Sequence, residues 1–159
     1  MQSKTYRVIV IGPEYSGKAQ FCFFTENNID EILHSYYYYK DVISHKFKRN
    51  DTNLEFIAEI DYSHSELDHD YYYLKKLINY LKEKKEIDHI ILLLRFGERL
   101  TNEKKQYLEL LGKIFTPSEF FTHLSIIFTD YHYNNPRKNG IYIEKINLIL
   151  RNSFNITKE

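Results

Sequence analysis

A single cysteine, Cys22, excludes an intrachain disulfide framework and fits a reducing compartment, where its place in the first helix-like segment suggests plain packing. Neither sign of charge dominates. Lys+Arg and Asp+Glu each number 22, so the formal net charge is zero and nothing global points to nucleic acid or an anionic membrane surface as a partner. No stretch reaches the ~18 consecutive apolar residues that cross a bilayer, and the N-terminus lacks the charged-then-apolar pattern of a secretory leader. Internal repeats and linkers are absent too. What these absences leave is one domain over 1–159, long enough for a proper core and expected to be soluble and cytoplasmic. Tryptophan is also missing, yet tyrosine and phenylalanine number 15 and 11, with homopolymeric runs at Tyr36 to Tyr39 and Tyr71 to Tyr73. Such rings are either a stacking platform for bases or the product of biased codon usage that favours Tyr, Lys, Ile and Asn.

Against this background one stretch stands out. Gly12-Pro13-Glu14-Tyr15-Ser16-Gly17-Lys18-Ala19 follows the apolar run Tyr6 to Ile11 and precedes a helix-like segment. Glycine, four residues, then Gly-Lys is the phosphate-cradling loop pattern in the strand-loop-helix setting it requires. Gly12 and Gly17 allow backbone conformations in which successive N–H groups converge on one concavity. The start of the helix adds a positive end, and Lys18 adds a point charge for the β- and γ-phosphates. The last position departs from the pattern. Ser or Thr there lends a hydroxyl to Mg²⁺, and this chain has Ala19. Cradling does not need that hydroxyl, so the expected ligand is a nucleoside phosphate with weakened Mg²⁺ coordination. Glu14 is an awkward neighbour, since a carboxylate beside phosphates repels them unless it points outward.

Strand-like and helix-like segments alternate along the chain, which predicts an α/β layer fold. Strands are expected at Arg7 to Ile11, Val42 to Lys48, Leu54 to Ile60, Asp88 to Leu94 and Leu124 to Thr129. The second and third are joined at Asn50-Asp51-Thr52-Asn53 and read as an antiparallel hairpin. Helices are expected at Lys18 to Leu33, Glu66 to Lys85, Thr101 to Phe115 with Thr101 as the cap, and Ile141 to Arg151. Ile90-Ile91-Leu92-Leu93-Leu94 is the continuous apolar run of a strand buried on both faces, and Leu124 to Thr129 reads as a further buried strand. The outline is a three-layer P-loop NTPase domain of GTPase-like type. Its sheet is mostly parallel with one antiparallel strand, its ligand sits at the carboxyl ends of the strands, and it is shortened at its C-terminal end.

A nucleotide switch needs further parts. Asp61 stands where an Asp should hold Mg²⁺ through water, but the expected Asp-x-x-Gly reads Asp61-Tyr62-Ser63-His64, with His64 replacing the glycine. Ser44 is either the hydroxyl that a switch loop brings to Mg²⁺ or an ordinary strand residue. The base-reading Asn/Thr-Lys-x-Asp is matched only by Thr129. Its aspartate falls two positions early at Asp130, and His132 takes its place. His64, Asp68, His69 and Asp70 cluster with Asp61, but their spacing matches no metal-ligand framework and reads as a solvated loop.

The segment Ile90 to Thr101, with Arg95, Phe96, Gly97, Glu98, Arg99 and Leu100 between strand and helix, resembles the corresponding box of the avirulence-induced-gene / GTPase-of-immunity-associated-protein family. The likeness continues through Leu110-Leu111-Gly112-Lys113-Ile114-Phe115 to His123 and Phe128-Thr129, and covers roughly residues 5 to 133. The resemblance implies an AIG-type G domain that binds GTP and GDP and pairs with a second copy through its nucleotide face. It makes Ser44 the counterpart of the switch threonine. It also implies a last strand with a guanine-contacting Asn, for which Asn155 is the candidate, and a membrane-attaching tail that is not carried over to this chain. Ala19, His64 and His132 alter three separate nucleotide-handling elements. Two functions therefore compete: a guanine-nucleotide-binding domain with weak or absent hydrolysis, and a pseudo-GTPase that acts as a protein-interaction module without nucleotide. An ATP-dependent phosphotransferase is a third, but its arginine-rich lid finds only Arg137 and Arg151 in the final third.

Overall fold

The computed structural model describes residues 4–13, 16–24, 42–59, 67–83, 86–96, 101–114, 122–129, 143–149 and 151. The elements are β1 (Thr5–Ile11), α1 (Lys18–Cys22), β2 (Val42–Arg49), β3 (Thr52–Glu59), α2 (Leu67–Lys82), β4 (His89–Arg95), α3 (Asn102–Ile114) and β5 (Leu124–Thr129). A further helical stretch covers 143–149. The strands form one sheet in the order β2-β3-β1-β4-β5. β1, β3, β4 and β5 run parallel, and β2 joins β3 antiparallel at the edge. This is the expected α/β architecture.

Alternation of side chains along each strand divides the core into two layers. Ile9, Ile11, Ile57, Ile90, Leu92 and Leu94 face Leu77 of α2, Tyr107, Leu108 and Leu111 of α3, and Ile146. Val8, Val10, Phe56, Ala58, Ile91 and Leu93 face Ala19, Cys22 and Phe23 on the other side. The run Ile90 to Leu94 thus feeds both layers, which is why it carries no polar residue. Phe21, Phe24, Phe47 and Phe56 pack in mutual ring contact around α1 and the β2-β3 hairpin, and His45 stacks against Phe47.

Several boundaries differ from the sequence reading for local reasons. The hairpin closes on two residues rather than four, since Asn50 and Asp51 both adopt positive φ (47° and 62°). Two adjacent left-handed residues give the type I′ geometry that suits strand twist, and Asn and Asp tolerate it. β5, expected to be buried, is half-exposed along its length because it is an edge strand paired with β4 alone among the described residues. Thr101 does cap α3. Its hydroxyl accepts the Lys104 N–H at 3.4 Å, and its carbonyl accepts the Lys105 N–H at 3.2 Å. Of the tyrosine runs, Tyr71 to Tyr73 falls within α2, where Tyr72 is exposed with the Lys76 ammonium 5.1 Å from its ring centre. Tyr36 to Tyr39 lies outside the described residues.

Candidate functional site

The loop from β1 to α1 lies at the carboxyl end of the central strand. Gly12 makes the close approach. A Cβ there would sit 2.5 Å from the Leu93 carbonyl oxygen and 2.5 Å from Ser16 Oγ, well inside contact distance. Gly17 makes the turn into the helix at φ 88°, ψ 23°, a left-handed conformation that glycine adopts without a Cβ penalty. The Ser16 N–H returns to the Pro13 carbonyl at 3.2 Å, so the loop folds back on itself.

Lys18 opens α1, and its side chain turns inward until the residue is 2% exposed. Its ammonium donates to the carbonyls of Gly12 (2.7 Å) and Pro13 (3.1 Å) and lies 3.7 Å from Glu59 Oε1 at the end of β3. Glu59 is buried and accepts the Tyr107 hydroxyl at 3.3 Å. Tyr107, buried on α3, in turn accepts the Gly12 N–H at 3.0 Å. From β5, Thr129 donates its hydroxyl to the Ser16 carbonyl at 3.2 Å, and its methyl group would lie 4.0 Å from a Cβ on Gly17. Four elements thus hold the loop from different sides. Ser16 Oγ is buried within it and makes no hydrogen bond among the described residues. A buried hydroxyl without a partner in a glycine-flanked loop suits the oxygen of a bound ligand, because an unmade hydrogen bond costs about 1–3 kcal/mol. The loop residues therefore fit a phosphate group.

Among the described residues, the last position of the loop brings no ligand for Mg²⁺. Ala19 packs its methyl group into the layer with Val8, Val10 and Cys22 and offers no oxygen. Ser44, for which the sequence left both a metal-reaching hydroxyl and an ordinary strand residue open, sits within a strand. It lies in β2 opposite Ile57, and its hydroxyl donates to Glu55 at 2.7 Å. Glu55 also pairs with Arg7 Nε at 3.0 Å, so that carboxylate ties the three strands together. Glu59 is the acid that the described residues place at the loop, and it is already engaged with Lys18 and Tyr107. Cys22 is buried nearby. Burial pushes its thiol pKa up, and the Glu59 charge adds to this more than Lys18 counters it. The cysteine is a packing residue, as its place in the sequence suggests.

Of the candidate residues, Gly12, Ser16, Gly17, Lys18, Ala19 and Thr129 come together here. Thr129, read from the sequence as a base-side residue, holds the loop backbone through Ser16. Glu14, Tyr15, Asp61, His64, Asp130, His132 and Asn155 lie outside the described residues. Glu59 and Tyr107 are additions that the sequence reading missed. Glu59 left one signal: with Glu55 it makes two carboxylates on one face of the strand, four residues apart and flanking the apolar Phe56-Ile57-Ala58. Tyr107 left none, because only the packing of α3 brings it to the loop.

No protein-family model matches the chain, and no curated protein sequence matches it. Solved structures do. Toc33 from Arabidopsis thaliana in complex with Mg²⁺ and GMPPNP superposes with a TM-score of 0.70 at 12% identity, over 98% of this chain and 65% of that one. The same protein with GDP and Mg²⁺ gives 0.69 at 12% identity, over 97% and 64%. A structure of the chloroplast translocon components atToc33 and psToc159, described with the finding that dimerization is important for their GTPase activity, gives 0.71 at 13% identity, over 97% and 64%. The chain has the fold of these GTPase domains and spans about 65% of the length of the chains it matches.

Proposed function

We propose that the chain is a guanine-nucleotide-binding domain of the AIG type, with weak or absent hydrolysis. The observation that carries this reading is the loop itself: Gly12 at its tightest point, Gly17 at its left-handed turn, Lys18 anchored on its carbonyls and a buried Ser16 Oγ with no hydrogen-bond partner among the described residues. Its fold is shared with domains seen with GMPPNP, GDP and Mg²⁺, which supports GTP and GDP as ligands and Mg²⁺ as their companion ion. Hydrolysis needs a placed metal and a placed water. With Ala19 in place of a hydroxyl and Ser44 committed to Glu55, binding outlasts catalysis. Pairing of two copies through the nucleotide face belongs to the same proposal, with the dimerization described for atToc33 and psToc159 in support.

A pseudo-GTPase, acting as an interaction module without nucleotide, is the second reading. The observation that favours it is the burial of Lys18 against acceptors of its own chain. Calorimetric titration with GTP, GDP and ATP, with and without Mg²⁺, separates the two. Micromolar binding of GDP and GTP in preference to ATP, with turnover slow or undetectable, is the expected result. No heat at millimolar nucleotide overturns the binding reading and leaves the interaction module.

A further inference from the structure

Gly12 begins and ends a closed circuit of contacts. Its N–H donates to Tyr107 Oη, Tyr107 donates to Glu59 Oε1, Glu59 Oε1 faces the Lys18 ammonium, and that ammonium donates back to the Gly12 carbonyl. The distances around it are 3.0, 3.3, 3.7 and 2.7 Å. Three of these are hydrogen bonds, and the Lys18–Glu59 link is an ion contact beyond hydrogen-bond range. All three side chains are buried, so solvent screens the pair little.

We propose that Glu59 is a built-in competitor for the phosphate of the ligand, and that Glu59 and Tyr107 are positioning residues that keep Lys18 on the loop until a phosphate takes it. The inference rests on the nucleotide-binding reading of the same loop. Its logic is one of charge. An ammonium withdrawn from water needs a counter-charge, and Glu59 supplies it in the empty loop. An arriving phosphate brings a second anion to the same ammonium. Two anions beside one cation repel each other, and the ion contact, at 3.7 Å the longest link of the circuit, is the one that the incoming charge opposes directly. Glu59 therefore lowers affinity for any phosphate that uses Lys18, and it does so through charge rather than bulk.

Glu59→Gln keeps the shape and removes the charge. The expected gain in affinity for inorganic pyrophosphate and for GDP is about tenfold, the scale of one net interaction with a charged group. The experiment uses the full 159-residue chain. Wild type and Glu59→Gln are titrated with both ligands, and in parallel the acylation rate of Lys18 by an amine reagent is read by peptide mass spectrometry. Lys48, whose side chain is 61% exposed, is the internal reference. Lys18 is expected to react at least tenfold more slowly than Lys48 in wild type, and faster in Glu59→Gln, alongside the tighter binding. Weaker binding by Glu59→Gln overturns the proposal. So does a wild-type Lys18 that reacts like Lys48, or a Lys18 rate that Glu59→Gln leaves unchanged. If neither protein binds either ligand, the nucleotide reading fails and the claim of competition fails with it. The labelling rates then decide separately whether Glu59 holds Lys18. Should Glu59→Gln not fold, Tyr107→Phe takes its place. It breaks the link to Glu59, and an unchanged Lys18 rate in that variant counts against the proposal equally.

Discussion

Gly12→Ala is the substitution whose cost is most directly worked from the structure. The added methyl carbon would meet the Leu93 carbonyl oxygen at 2.5 Å, Ser16 Oγ at 2.5 Å and Ser16 Cβ at 3.2 Å. Ser16 is a side chain with a little freedom, but the Leu93 oxygen belongs to the backbone of β4, a strand hydrogen-bonded on both sides. Relief must therefore come from Gly12, which would move away from the N–H contact to Tyr107 and the carbonyl contact to Lys18. Overpacking of a dense site costs about 1–3 kcal/mol. At roughly 2–4 °C per kcal/mol for a domain of this size, the midpoint of thermal unfolding falls by about 2–12 °C. Urea and thermal unfolding followed by circular dichroism measure this directly. Adding Ser16→Gly removes the side-chain half of the clash and leaves the backbone half, so the double variant is expected to recover only part of the loss. A Gly12→Ala protein within about 0.5 kcal/mol of wild type, the range of an ordinary surface change, would refute the close approach of loop and β4.

Three further outcomes are expected. Asp88 is pushed up by partial burial, but its bonds to Lys4 and to the Arg7 N–H outweigh that and hold its carboxyl below the usual range. A depressed native pKa stabilises above the unfolded value near 3.9 and ceases to as pH falls through the native one, so Asp88→Asn should destabilise at pH 7 and match wild type in strong acid, read by urea midpoints across pH. Cys22 should resist thiol reagents at neutral pH in the folded protein and react once urea unfolds it, because burial disfavours the thiolate; rapid labelling of native protein would contradict its packing. Ala19→Ser restores a hydroxyl at the head of α1, and Mg²⁺ should then tighten GDP binding more than it does in wild type; an identical Mg²⁺ dependence would show that Ala19 is not what limits the ion.

How much of this was legible in the sequence depends on whether the cause was local. The loop was readable because its two glycines and its lysine answer a backbone requirement that any strand-loop-helix must meet. β4 was readable because burial on both faces leaves an unbroken apolar run. The edge position of β5 was not readable. Leu124 to Phe128 is as apolar as an interior strand, and neighbours rather than composition set its exposure. Sequence leaves Ser44 open between a switch hydroxyl and a strand residue, and only the register opposite Ile57 shows that it bonds Glu55. In sequence Asp61, two residues on, is the more conspicuous acid than Glu59. The partners that give Glu59 its role come from α1 and α3, which no window on β3 contains.

The hydrogen bond from Thr129 to Ser16 spans 113 positions of chain, and that from Gly12 to Tyr107 spans 95. This gives the site a place in time. During synthesis the loop is made before α3 and β5, so a chain that ends at residue 100 has the loop but neither Tyr107 nor Thr129. The motif is made early, while its shape waits for β5, the last strand among the described residues. Contacts of such separation also make loop closure the slow part of refolding. A segment made early is thus among the last to take its final form.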